Sequence, residues 1–349
     1  MFIEKGENIM EILSETRLAT GEQLRILHWS APEKAPRKYV DYVSASFGSN
    51  HPHNDFYTIG GWRAYFSDAM NGTYCPEVVD HWFFAEVDGE CAGRMWFAYS
   101  ARTRRGNFGN VMTEPQFQRR GIMTELLKYC MEEFYRSPAE ILCCASGNPH
   151  AVASYLKVGF ELIYGGETGP LCLSQKGSFL DTAQEAFSGN RIAEIRRGTI
   201  GDQFDCDKFL AYIPEIRNRA FPFRGGPSAA IPEFRLAFQE ALGNRGTVNV
   251  ALNSRNECVG YAFAAILHGL PLLDFTVHPG YLSDAANLIR MTADDFKTKF
   301  QRDLLYFGFS GDKEKLAAIT EAGAECQGII SNALPHGDTS ADMAVYCCK

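Results

Sequence analysis

The chain has 349 residues, of which 46% are hydrophobic and 22% are charged, so it is long enough for two domains and is not an intrinsically disordered protein. A net charge of −8 argues against a protein that grips nucleic acid, and no apolar run reaches the ~18 residues that span a bilayer. Eleven cysteines without a CxxC pair indicate reduced, structural thiols. The N-terminus shows no signal-peptide pattern, and we therefore expect a cytoplasmic protein.

The first half of the chain alternates strand and helix patterns in a defined order. A strand is followed by two helices, a hairpin around Asp88-Gly89, and a strand that Pro115 ends, because proline cannot donate to a strand ladder. A helix, a strand, a helix and a strand come next. The segments are 22–29, 36–47, 56–70, 81–87 with 91–101, 107–113, 120–136, 140–146, 149–159 and 160–165. This order predicts an α+β fold with a mostly antiparallel sheet and a crossover at helix 120–136.

Residues 118–123 read QRRGIM, at the point where a strand gives way to an amphipathic helix. The first N–H groups of a helix have no internal partner, and the helix dipole places partial positive charge there. Glycine allows close approach of a ligand, and arginine offers paired donors to phosphate oxygens. The stretch suits a pyrophosphate, although it is not a Walker loop because no GK[ST] follows. Taken alone, such a stretch is more often a basic turn that only starts a helix.

A second stretch, residues 148–160, reads NPHAVASYLKVGF. Together with VMTEPQFQRRGIM at 111–123, it resembles the GNAT superfamily of N-acetyltransferases. That family has a [Q/R]-x-x-G-x-[G/A] acyl-CoA loop after its fourth strand and then N-x-x-A-x-x-x-Y-x-K-x-G-F. In the first motif Gln118 and Gly121 match, whereas Met123 departs from glycine or alanine. The fixed positions of the second motif are all present, at Asn148, Ala151, Tyr155, Lys157, Gly159 and Phe160.

The resemblance covers about residues 20–176 and implies a set of cofactor-binding residues. The backbone of Val111, Met112 and Thr113 would run beside the pantetheine arm, and Asn148 would contact that arm. Gln118 and the Arg120 side chain would help to bind the pyrophosphate. The amides that would hold it belong to Arg119, Arg120, Gly121, Ile122, Met123 and Thr124. The resemblance thus implies acetyl-CoA, or another acyl-CoA, as cofactor, and no metal.

The resemblance further implies direct transfer, in which an amine attacks the thioester carbonyl. The Met112 N–H would stabilise the oxyanion, and Tyr155 would donate a hydrogen bond or a proton to the leaving thiolate. Because tyrosine has a pKa of about 10 and a thiol of about 8.5, full proton transfer is uphill by roughly 2 kcal/mol. Tyr155 is therefore expected to act mainly through a hydrogen bond. A packing role for Tyr155 and a helix N-cap role for Asn148 stay open.

An attacking amine must be neutral, which requires a base or a water path. The candidate bases near the expected sheet edge are Glu114, Asp80, His81 and Glu86. The stretch SNHPHNDF at 49–56 contains His51 and His53, but their spacing makes a metal site a weak interpretation, and we favour an acceptor-site loop. The acceptor itself stays open between a small-molecule amine and a peptide amine.

From Arg191 a similar order of elements restarts. Pro115 and Pro279 are 164 positions apart, as are Gly159 and Gly323, which indicates an internal duplication. We predict a GNAT domain at 1–177, a linker helix at 178–190 and a second GNAT-like domain at 191–349. At the same offset the positions of Gln118, Arg120, Gly121 and Tyr155 hold Leu282, Asp284, Ala285 and Ile319. The second copy is therefore expected to be degenerate and to bind no acyl-CoA; it would wall the acceptor site or only support the fold.

The expected function is acyl-CoA dependent N-acylation, most simply acetylation, of an amine, with no nucleic-acid or membrane partner and an open oligomeric state. One alternative is a non-catalytic CoA-binding sensor. Another is a tRNA-dependent aminoacyltransferase of related two-lobed design, against which the pyrophosphate loop and the negative net charge speak.

Overall fold

The computed structural model describes residues 10–46, 61–206, 246–267, 269–336 and 339–349. The described residues form two compact units, the first ending at Phe179 and the second beginning at Leu180. His51 and His53, with the predicted acceptor loop, lie outside the described residues. None of the helices in the described part of the chain has the length and hydropathy of a membrane span. All eleven cysteines are free thiols, most of them buried.

The first unit is built on an eight-stranded sheet in the order β1-β2-β3-β4-β5-β6-β8-β7. Its strands are β1 (Glu11–Arg17), β2 (Gln23–Ser30), β3 (Val78–Val87), β4 (Glu90–Ser100), β5 (Arg105–Thr113), β6 (Ile141–Ser146), β7 (Glu161–Leu162) and β8 (Gly169–Ser174). Its helices are α1 (Arg37–Ala45), α2 (Gly61–Met70), α3 (Ile122–Arg136) and α4 (Pro149–Leu156). β5 and β6 are parallel, whereas the other described neighbours in this sheet are antiparallel. A parallel pair needs a crossover, and α3 provides it.

The local patterns explain most of these elements. The predicted hairpin is confirmed, and its turn uses left-handed backbone at Asp88 and Gly89, as a two-residue hairpin turn requires. β1 was not predicted. It is an edge strand whose side chains are largely exposed, so the sequence EILSETR lacks the apolar alternation of a half-buried strand.

One face of the first sheet packs against α3. The helix buries Ile122, Leu126 and Phe134, which join Phe97 of β4 and Phe108 of β5 in a single hydrophobic core. Burying such a side chain contributes about 1.5–3 kcal/mol, so this contact fixes α3, and with it the preceding turn, relative to β5.

The second unit has a seven-stranded sheet in the order β9-β10-β11-β12-β13-β15-β14. Its strands are β9 (Glu194–Arg197), β10 (Gly246–Leu252), β11 (Cys258–Leu267), β12 (Leu270–Val277), β13 (Leu304–Phe309), β14 (Glu325–His336) and β15 (Thr339–Cys348). Its helices are α5 (Phe179–Ala186), α6 (Ala285–Phe300) and α7 (Lys313–Glu321). Here too one pair, β12 with β13, is parallel, and α6 makes the crossover.

From β2 onward the first sheet has the same strand order as the second sheet read from β9. The two parallel pairs stand at the same place in that order. β5 and β12 also end 164 positions apart, at Thr113 and Val277. The structure confirms the predicted α+β class, with two mostly antiparallel sheets flanked by helices.

Candidate functional site

β5 and β6 pair only at their beginning. The parallel ladder covers Arg105, Gly106 and Asn107, while β5 continues to Thr113 without a described strand on that side. The register against β4 shifts along this stretch, where Asn110 adopts left-handed backbone with φ 53°. A bulge of this kind re-aims backbone groups. The strands thus leave an open edge along β5, and the predicted Val111, Met112 and Thr113 lie on it, each half-buried.

The turn before α3 presents a row of amides without acceptors. Within the described part of the chain, the N–H groups of residues 119–124 donate no hydrogen bond, and no side chain caps α3. Arg119 and Gly121 have φ values of 62° and 81°. A β-carbon built on Gly121 would meet no atom within 4 Å, so the space before the helix is open. Converging donors, a helix dipole and open space together fit a pyrophosphate.

Met123 does not obstruct this space. Its side chain is half-buried and packs against the hydrophobic core beneath α3. The bulky residue therefore contributes its amide to the turn and its side chain to the core. The departure from glycine or alanine at this position is compatible with an open loop.

The two predicted side chains of the loop are already engaged. Arg120 donates to Glu22 Oε1 and to the Gln116 carbonyl, at 2.9 Å each, and its guanidinium lies over the Phe117 ring. Gln118 donates to the Thr113 carbonyl at 3.2 Å, which ties the loop to the end of β5. A surface ion pair contributes only about 0.2–1 kcal/mol, so an anion can compete with Glu22 for Arg120. Sequence reasoning missed Glu22, whose partner lies 98 positions further along the chain.

Tyr155 is brought against β5 from α4. Its side chain is 5% exposed, and its ring meets Phe108 edge to face with centroids 5.1 Å apart. Burial raises the pKa of the Tyr155 phenol above its ordinary value, with the neighbouring Cys144 and Cys130 acting in the same direction. No hydrogen bond among the described residues involves its hydroxyl, and that oxygen is not one of the fully buried unsatisfied atoms. The phenol therefore stays protonated and has a hydrogen bond to donate.

Asn148 caps the helix that carries Tyr155. Its side-chain oxygen accepts the His150 N–H at 3.0 Å, which is the N-cap role that the sequence left open. The residue is exposed. The cap orients α4 and leaves the side-chain NH₂ group for another partner.

Two of the four candidate bases are tied to other side chains on β3. Asp80 is buried and accepts the indole N–H of Trp96 at 2.8 Å. Glu86 is buried, pairs with Lys38 and accepts the Tyr39 hydroxyl at 2.9 Å. β4 separates both carboxylates from β5.

A third candidate, His81, lies under α3 in the core. Its Nδ1 is 3.0 Å from Nε2 of the equally buried His28. Burial and the neighbouring His28 lower the pKa of His81 to about 3. The ring is neutral at physiological pH and sits away from the open edge of β5, against Phe97.

Glu114 alone of the four directly follows β5. It is half-buried, and its amide donates to the Ala92 carbonyl at 2.9 Å. Beside it is Arg94, whose Cα pairs with that of Met112 across the β4–β5 ladder. Burial lowers the pKa of Arg94 and raises the pKa of Tyr42. The Glu114 carboxylate acts on both groups as well and raises the pKa of each. Sequence reasoning missed Arg94, because nothing in its strand signals a buried cation.

The corresponding region of the second unit is filled by a buried ion pair. Lys315 of α7 bonds to Asp274 of β12 at 2.9 Å, with side chains 5% and 3% exposed. These residues occupy the positions of Ala151 and Asn110 at the 164-residue offset. The lysine also lies over the Phe275 ring of β12 and the Tyr306 ring of β13. Side chains therefore span the parallel pair of this sheet, where the first unit has an open edge.

The start of α6 is covered by its own chain. Asp284, at the Arg120 position, accepts the Ile192 N–H at 3.0 Å and lies 3.3 Å from Arg191 Nε. The Tyr281 hydroxyl donates to the Ser188 carbonyl at 2.8 Å. The segment after α5 thus bonds to the Asp284 and Tyr281 side chains and covers the turn that corresponds to the open turn of the first unit.

Part of the chain matches a known protein family. Residues 41–160 match the model of the acetyltransferase (GNAT) family. No curated protein matches the chain. Among solved structures, a phosphinothricin acetyltransferase from Sinorhizobium meliloti in complex with AcCoA is 19% identical, with a TM-score of 0.38, over 44% of this chain and 86% of its own. An N-acetyltransferase from Staphylococcus aureus is 14% identical, with a TM-score of 0.36, over 45% of this chain and 96% of its own.

The family match confirms the predicted family over residues 41–160, which lie within the N-terminal unit. It also confirms the predicted enzyme class, an N-acetyltransferase, and the predicted acyl-CoA cofactor at the level of the family.

Proposed function

We propose that the first unit, which carries the GNAT-family domain, transfers an acetyl group from acetyl-CoA to a primary amine. The observation that carries the proposal is the row of unpartnered amides at residues 119–124, beside the open edge of β5. These groups fit a pyrophosphate followed by an extended, hydrogen-bonding arm.

In this proposal the chain holds acetyl-CoA mainly by its backbone. The amides from Arg119 to Thr124 bind the pyrophosphate, and Arg120 adds charge when it exchanges Glu22 for phosphate oxygens. The peptide groups within Val111, Met112 and Thr113 that face away from β4 bind the arm. When bound, acetyl-CoA supplies an activated acyl group as a thioester.

Two groups of the protein act on the thioester. The Met112 N–H polarises the acyl carbonyl, and the Tyr155 hydroxyl donates a hydrogen bond to the departing sulfur. Because burial raises the pKa of Tyr155, transfer of its proton to a thiolate is less favourable than for a free tyrosine. Tyr155 therefore acts as a hydrogen-bond donor and stays protonated throughout.

Glu114 is the group that receives the amine. It is the one candidate base contiguous with the strand that lines the cofactor, and it is half-buried. A carboxylate there attracts an ammonium group and can accept its proton, directly or through water.

We further propose that the second unit is a degenerate copy that binds no acyl-CoA. The shared strand order supports a common origin, and the Asp274–Lys315 pair and Asp284 account for the lost binding. The free thiols suit a reducing compartment, and we propose the cytoplasm.

Isothermal titration of the full chain with acetyl-CoA tests these assignments. One molecule should bind per chain. Gly121→Asp, which places a carboxylate before the amides, should abolish binding, whereas Asp284→Asn in the second unit should leave it unchanged. Two sites per chain, or loss of binding in Asp284→Asn, would contradict the assignment of the second unit.

Catalysis is tested by following thiol release from acetyl-CoA over a panel of amines, with product identified by mass spectrometry. Acetylated amine is the expected product. Tight CoA binding without acetylation of any amine would instead identify a CoA-binding sensor.

A further inference from the structure

Arg94 is a buried cation without a counterion at contact distance. The residue is 4% exposed, and no carboxylate of the described residues lies within 4 Å of its guanidinium. Its Nη2 donates to Ser46 Oγ at 2.7 Å, whereas Nε and Nη1 are buried and donate to none of the described residues. Leaving a charge and two donors unpaired in a protein interior costs several kcal/mol, so such an arrangement is kept for a reason other than stability.

Tyr42 lies beside Arg94 and presents a second buried donor. Within the described residues its hydroxyl has no partner at hydrogen-bond distance, although burial and the Glu114 carboxylate raise its pKa, and the Tyr42 ring centre is 5.3 Å from the guanidinium carbon. Arg94, Tyr42 and Ser46 thus offer donors, and the acceptors beside them are the serine oxygen and the nearby Glu114 carboxylate. Donors of this kind are complementary to a small anion.

The position of this cluster links it to the acyl-transfer site. Arg94 pairs across the ladder with Met112, and Glu114 is near enough to act on it electrostatically. A cationic group and a carboxylate therefore stand side by side at the end of β5. Their charges match a molecule that carries an ammonium group and a carboxylate a few bonds apart.

We propose that the acceptor is an amine that also bears a carboxylate, an amino acid in the broad sense, with its carboxylate bound by Arg94, Tyr42 and Ser46 and its amine beside Glu114. The inference rests on the proposed acetyl transfer, since it names the substrate class of that site. Arg94 binds and orients the acceptor and takes no part in the bond changes.

The experiment compares the standard L-amino acids with their decarboxylated amines. Wild type, Arg94→Met and Arg94→Lys are assayed as full chains by kcat/KM for acetyl transfer. They are also assayed by saturation-transfer NMR without acetyl-CoA. Arg37→Met is the control, because Arg37 is an exposed arginine on α1, the helix of Tyr42.

Wild type and Arg37→Met should prefer a carboxylated amine over its decarboxylated counterpart by about tenfold or more, in line with hydrogen bonds to a charged group. Arg94→Met should lose that preference, and Arg94→Lys should keep part of it. Arg94→Met should also melt at the same or a higher temperature than wild type, because an apolar side chain replaces an unpaired charge.

The proposal is overturned if no carboxylated amine is preferred, if the preference survives in Arg94→Met, or if Arg94→Met melts well below wild type, which would make Arg94 structural. NMR binding that depends on Arg94, together with absent acetyl-CoA binding, would support the carboxylate site while rejecting the acetyltransferase assignment. Failure of the carboxylate site and failure of the acetyltransferase assignment therefore give different results.

Discussion

Replacing Tyr155 with phenylalanine should slow acyl transfer without destabilising the first unit. The hydroxyl has no hydrogen-bond partner in the described residues, and the ring packs against Phe108, which phenylalanine would preserve. The value of kcat should therefore fall while the unfolding free energy stays unchanged or rises slightly. If Tyr155 only packs in the core, kcat should stay unchanged.

The size of the effect follows from the interaction removed. A hydrogen bond to a charged acceptor contributes about 1.5–3 kcal/mol, so its loss from the developing thiolate should lower kcat roughly 10- to 150-fold. Because the hydroxyl makes no hydrogen bond among the described residues and phenylalanine keeps the ring, its removal should change the unfolding free energy by less than about 1 kcal/mol. Because burial raises the pKa of Tyr155, its ionisation should not appear in the kcat–pH profile below about pH 10.

The assay is thiol release at saturating acetyl-CoA, together with a urea unfolding curve for each variant. Tyr135→Phe is the matched control, since Tyr135 lies on α3 with 52% of its side chain exposed. Undiminished kcat in Tyr155→Phe would refute the role in leaving-group stabilisation. A large drop in stability would point to packing instead.

Three further outcomes are expected. Glu22→Gln should release Arg120 and lower the KM for acetyl-CoA severalfold with little change in stability, because a surface ion pair is worth about 0.2–1 kcal/mol; an unchanged or higher KM would argue against Arg120 as a phosphate ligand. Lys315→Met should destabilise the second unit by about 3–5 kcal/mol in urea unfolding, because the buried Asp274 carboxylate loses the positive charge beside it; a near-neutral result would mean that methionine packing offsets that loss. The pKa of His81 is about 3 when folded and near its ordinary value when unfolded, so the unfolded state binds more protons between those values and stability falls as pH drops from about 6.5. From pH 7.5 to pH 5 this should cost about 2 kcal/mol, which His81→Leu should remove and the exposed His150→Leu should not; an equal slope in both variants would exclude His81 as the source.

The sequence by itself determined what local chemistry can encode. The QRRGIM turn, the apolar face of α3 and the Asp88-Gly89 hairpin are each set by residues within a few positions of one another, and each is found in the structure. The spacing of the two motifs also sufficed to name the family that residues 41–160 match. The offset of 164 positions anticipated the shared strand order of the two sheets.

The tertiary structure decided what depends on distant neighbours. It attached Arg120 to Glu22, packed Met123 into the core and raised the pKa of Tyr155 by burial. It also buried Arg94 beside Glu114, with Nε and Nη1 of the guanidinium unpartnered among the described residues. None of this is readable along the chain, because the burial of a group and the identity of its partner arise only when strands far apart in sequence become neighbours in a sheet.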